Sequence, residues 1–105
     1  MKIYIIDFSD TNKIADRLKN HQVLSEKHDG GQAYKQTGEI LPELIFVNYK
    51  VKPSHGRETA QSIKERKKTS KIPIYFVDGD KIENEKIKHI GQSITINEID
   101  DYIQT

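Results

Sequence analysis

Five short strand-like runs, separated by longer polar stretches with helical spacing, constrain this chain more than any other feature. The runs are Ile3 to Ile6, a short one near Gln22 to Ser25, Leu44 to Val47, Ile72 to Val77 and Ser93 to Ile96. Apolar runs of this length alternating with amphipathic stretches are the pattern of a parallel sheet covered by helices. Pro73 sits at the first residues of its run, where a missing N–H is tolerated. The stretches between read as helices. Ser9 or Asp10 is placed to cap one that carries Ile14, Ala15 and Leu18 on a single face. His28-Asp29-Gly30-Gly31 is a turn, and the helix after it turns Ala33, Tyr34 and Thr37 inward. Pro42 breaks the chain before the third run. A third helix is predicted from about Gly56 to Lys68, with only Ala60 and Ile63 clearly apolar. Asp80 and Glu83 form a capping pair for a fourth, bearing Ile82, Ile87 and Ile90. Asn97 caps a short fifth with Ile99, Tyr102 and Ile103 on one side. Five strands alternating with five helices predict a flavodoxin-like doubly wound five-stranded parallel α/β sheet. One domain over residues 1–105 is expected, since this length supports one modest core.

Seventeen basic and sixteen acidic residues nearly cancel, so bulk attraction to nucleic acid or membrane is not expected. There is no Cys, which excludes a disulfide framework and thiol chemistry and fits a cytoplasmic protein. The run after Met1 is too short for a signal peptide or a membrane span.

Several stretches resemble the receiver domains of two-component signalling. They are Lys2 to Asp7, Asp29-Gly30-Gly31-Gln32-Ala33, Pro42 to Asn48, Pro53 with Gly56, and Ile72 to Val77. The stretch from Pro53 through Arg66-Lys67 to Val77-Asp78-Gly79 also resembles small pseudo-receiver proteins, a likeness that implies no activity. The receiver resemblance implies a phosphoryl-accepting Asp at the end of the third strand, where this chain has Asn48. It implies adjacent carboxylates after the first strand to hold Mg²⁺; here Asp7 is followed by Phe8. A Ser or Thr is implied at the end of the fourth strand, and Lys-Pro after the fifth. This chain has Asp78 and, beyond Thr95, Ile96-Asn97. Four changed parts imply that aspartyl phosphorylation is absent, because phosphoryl transfer depends on positioning and charge neutralisation. The strand-edge pocket is then expected from Asp7, Phe8, Asn48, Asp78 and Thr95.

Other residues carry chemistry with two readings each. Asp7, Asp10, Asp78 and Asp80 are either a carboxylate metal site or, as we favour, two helix caps and two solvated loop acids. Ser54-His55-Gly56-Arg57 is either a cap on a tight loop, the favoured reading, or an anion site at a helix N-terminus with Arg57 adding donors. Adjacent Ser and His rarely reach catalytic geometry. Lys64, Arg66, Lys67, Lys68 and Lys71 are either a solvated helix end or a phosphate-binding cluster; no aromatics interleave them. His21, His28, His55 and His89 lack metal-ligand spacing. Lys81, Lys86 and Lys88 oppose Glu98, Asp100 and Asp101 on neighbouring helices, which suits either a two-fold homodimer contact or an internal arrangement.

The expectation is a stand-alone pseudo-receiver, neither an enzyme nor a cofactor or metal binder. It would act through an unidentified protein partner, with no output domain after the fifth helix. The alternative is a binder of a small anion, nucleotide or nucleic acid through Ser54–Arg57 and the basic end of the third helix.

Overall fold

In the computed structural model, which describes residues 1–103, five parallel strands form one sheet in the order β2-β1-β3-β4-β5. The strands are β1 Lys2–Ile6, β2 Gln22–Glu26, β3 Leu44–Asn48, β4 Ile74–Val77 and β5 Gln92–Ile94. The helices are α1 Lys13–Asp16, α2 Gly30–Ile40, α3 Pro53–Glu65 and α4 Lys81–Glu85, with a closing 3₁₀ helix at Ile96–Tyr102. This is the expected flavodoxin-like architecture.

Successive side chains of a strand point to opposite faces, so each central strand feeds two cores. On one face Tyr4, Ile6, Ile45, Val47, Ile74 and Phe76 pack with Ala33 of α2, Ala60 and Ile63 of α3, and Ile87 and Ile90 beyond α4. On the other, Ile3, Ile5, Leu44, Phe46, Val77 and Ile94 pack with Ile14, Leu18 and Ile99. β1 and β3 lie at the centre with registers Ile3↔Leu44 to Ile6↔Val47. Among the described residues β2 is an edge, paired with β1 alone, and Leu24 on it is 44% exposed.

Several local expectations are corrected. α1 starts at Lys13 after Asn12, and neither Ser9 nor Asp10 caps it, because Ser9 is held by Asp7. Tyr34 lies outward, 37% exposed, under the guanidinium of Arg66. α3 starts at Pro53, three residues before Gly56, and ends at Glu65, followed by a 3₁₀ turn at Lys67–Thr69. α4 stops after five residues, and Ile82 within it is 73% exposed. The fifth helix is 3₁₀ and its cap is Thr95, not Asn97: Thr95 N donates to Glu98 Oε1 at 2.9 Å. β4 and β5 begin at Ile74 and Gln92 rather than Ile72 and Ser93. Among the described residues no helix is long and apolar enough to cross a membrane.

Candidate functional site

From β1 the chain crosses outward to β2, then returns to β3 on the opposite side of β1. Such a reversal opens a crevice beyond the strand carboxyl ends, where open α/β sheets place ligands. Asp7, directly after β1, and Asn48, the last residue of β3, meet there.

Asp7 is 2% exposed. A buried carboxylate needs donors, or it gives up its charge. Asp7 Oδ1 accepts from Ser9 N at 2.9 Å, Ser9 Oγ at 2.5 Å and Asn48 Nδ2 at 3.0 Å. The Ser9 hydroxyl in turn accepts from Thr11 N at 3.2 Å and from Asn48 Nδ2 at 3.3 Å. The other end of the Asn48 amide, Oδ1, accepts from Lys50 N at 3.1 Å. The two side chains and Ser9 therefore form a small network centred on Asp7 Oδ1. Beside it lies a cavity of about 160 Å³, lined by Ser9, Thr11, Lys13, Asn48, Lys50 and Asp78 among others.

The residues of this edge do not fit a Mg²⁺ ion. Such an ion wants oxygen ligands in a near-octahedral set. Asp7 turns one oxygen to three donors, and Asn48 points N–H at it where a second carboxylate would be needed. Asp78, the other acid, is engaged as well: its Oδ1 accepts from Ile96 N at 3.0 Å, and its backbone is left-handed at φ 59°. Lys13 and Lys50 add positive charge to the cavity wall.

The expected pocket residues separate. Asp7, Asn48 and Asp78 gather at the crevice. Phe8 turns away and meets the His55 ring edge-on, with centroids 6.0 Å apart. Both rings line a trough of about 700 Å³ between α2 and α3, with Tyr34, Lys52, Glu58 and Arg66. Thr95 is exposed at the start of the 3₁₀ helix.

Ser54–Arg57 is not a loop. Lys52, at φ 48°, begins α3, and Pro53 occupies its first turn, where a missing N–H costs nothing. Ser54 is exposed and makes no cap. Gly56 is buried; a Cβ there would stand 2.8 Å from Val47 Cγ1, so its smallness lets α3 lie close on β3. Arg57 Nη1 donates to Glu83 Oε2 at 2.6 Å and to Tyr49 Oη at 3.3 Å. The four residues form no common site, and the guanidinium needed for an anion site is already paired.

That pairing belongs to a second polar cluster that sequence reasoning missed. Tyr49 Oη donates to the Glu83 carbonyl at 3.0 Å. Lys86 donates to Glu83 Oε1 at 3.1 Å, and this contact first, with Tyr49 and Arg57 helping, holds the Glu83 carboxyl below its usual range. Burial pushes the Tyr49 hydroxyl up. Its hydrogen bond to Tyr49 keeps Arg57 firmly charged. Tyr49 had no sequence signal beyond being an aromatic directly after a strand. Ser9 had one: a Ser two residues after an Asp is the spacing of an Asx turn.

Of the basic cluster, Arg66 is folded inward. Its guanidinium lies 4.0 Å from the Tyr34 ring centroid and donates to Tyr34 O and to Thr37 Oγ1. Lys67, Lys68 and Lys71 stay on the surface.

No protein-family model matches the chain, and a search of curated proteins finds no match. Solved structures do match in shape. The N-terminal domain of a response regulator receiver protein from Methanoculleus marisnigri superposes with a TM-score of 0.69 at 16% identity, covering 99% of this chain and 97% of that one. A response regulator from Hahella chejuensis gives 0.68 at 16% identity, over 97% and 86%. A candidate response regulator from Chloroflexus aurantiacus gives 0.71 at 17% identity, over 90% and 83%. At these identities the likeness concerns shape alone, and on shape the chain has the receiver fold.

Proposed function

We propose that this chain is a pseudo-receiver, a signalling domain that takes no phosphoryl group and acts by contact with a protein partner. The observation that carries the reading is the 3.0 Å hydrogen bond from Asn48 Nδ2 to the buried Asp7 carboxylate. An amide nitrogen is a poor nucleophile. Here it also serves as a fixed donor in the place where charge would have to be neutralised for phosphoryl transfer. The response regulators that share the fold support a signalling role. Contact is most readily made at α4, where Ile82 stands 73% exposed. The anion-binding alternative is weakened by the commitment of Arg57 to Glu83.

The test is direct. Incubated with acetyl phosphate or beryllofluoride and Mg²⁺, the protein should gain no mass and show no change in its amide spectrum. A phosphoryl adduct mapped to Asp7 or Asp78 would overturn the reading.

A further inference from the structure

We infer that Tyr49, Arg57 and Glu83 form a latch that sets whether the segment 79–86, containing α4, is docked or released. The inference does not depend on whether position 48 accepts a phosphoryl group.

No residue of α4 is buried, so the helix has no hydrophobic anchor of its own. The nearest anchors, Ile87 and Ile90, come only after it ends. Polar contacts tie it to the body. Tyr49 Oη donates to Glu83 O at 3.0 Å, and Arg57 Nη1 to Glu83 Oε2 at 2.6 Å. The root of the latch is rigid. Tyr49 is 1% exposed, its N donates to Val77 O at 2.9 Å, and its ring meets Phe76 edge-on with centroids 5.0 Å apart. The segment also carries a cost in its docked form. Among the described residues Asn84 Oδ1 is buried with no hydrogen-bond partner, an unfavourable state that release to water would relieve. A docked element with no apolar anchor, an unsatisfied acceptor and a charged tether lies at the low-stability end of a structure, where local opening is easiest. Release would uncover the Tyr49 ring, and with it a different surface for a partner.

Amide hydrogen exchange at pH 7 tests this in the wild-type chain and in Tyr49→Phe and Glu83→Gln. The Asn84 and Lys86 amides, bonded to Asp80 O and Glu83 O at 2.9 and 3.0 Å, report on the segment. The Ile45 amide, bonded to Pro73 O at 2.9 Å, reports on the sheet. Both variants should speed exchange at Asn84 and Lys86 about tenfold through an opening nearly independent of urea, whereas Ile45 should exchange far more slowly and through an opening that urea promotes. Unchanged exchange at Asn84 and Lys86 would show that the contacts hold nothing. Exchange at Asn84 and Lys86 with the same rate and urea dependence as Ile45 would show that the segment opens only with the whole molecule, and either result overturns the latch.

Discussion

Replacing Asn48 with Asp removes the amide that meets Asp7 at 3.0 Å and sets a second carboxylate against a buried one. Two carboxylates sharing a site resist joint ionisation. The lost charged hydrogen bond and the repulsion together should cost about 2 kcal/mol. For a chain of this size that lowers the melting temperature by about 10 °C at pH 7. The variant should still take no phosphoryl group, because Phe8 supplies no ligand and no lysine follows β5. Mg²⁺-dependent labelling of this single variant would show that the paired carboxylates suffice. Asn48 was legible in the sequence because it closes an apolar run. The use of Ser9 was not, since a serine there can serve a helix or the preceding aspartate. Only the burial of Asp7, a property of the assembled sheet, decides between them.

Among the elements, α4 has the clearest dependence on pH. Lys86 from its own segment, Arg57 from α3 and Tyr49 after β3 all face Glu83, and its carboxyl is held below the usual range. A group with a depressed folded pKa contributes stability above its unfolded value and loses it as pH falls through the folded one. Melting followed from pH 7 to acid should therefore show Glu83→Gln less stable than wild type at neutrality. The two curves should converge below the ordinary glutamate range. A constant gap across the series would remove Glu83 ionisation from the account. The strands were legible to within about two residues, because central strands buried on both faces read as continuous apolar runs. The helices were less so. The spacing of Ile82, Ile87 and Ile90 suggested one continuing helix, yet the α-helix ends at Glu85, and the two later isoleucines reach the core from the turns that follow. Ile99 reached the core as expected, but from a 3₁₀ helix.

For the whole molecule, the charge asymmetry between α4 and the 3₁₀ helix is largely used within the chain. Lys86 pairs with Glu83, Lys88 with Glu85, and Arg17 with Asp100. If a second copy is nonetheless the partner at this face, Ile82 supplies the apolar contact. Reversing Lys86 and Lys88 to Glu, or changing Ile82 to Ser, should then weaken self-association seen by sedimentation at low salt. A monomer under those conditions leaves a different protein as the partner. The parallel sheet followed from the alternation of strands with helices, whereas nothing in the sequence marks which surface is used, because exposure is a property of the assembled molecule.

The edge strand β2 bears on how the protein behaves when concentrated. Its outer side offers unpaired backbone groups, and Leu24 adds an apolar side chain to it. Exposed edges of this kind template strand addition between molecules. Glu26 and Lys27 close the strand with opposite charges, and those flanking charges are its guard against aggregation. Leu24→Lys should raise the concentration at which the protein precipitates without moving its melting temperature by more than a few degrees, since little burial is lost. An unchanged precipitation threshold would place the colloidal weak point elsewhere, with the exposed Ile82 the next surface to alter.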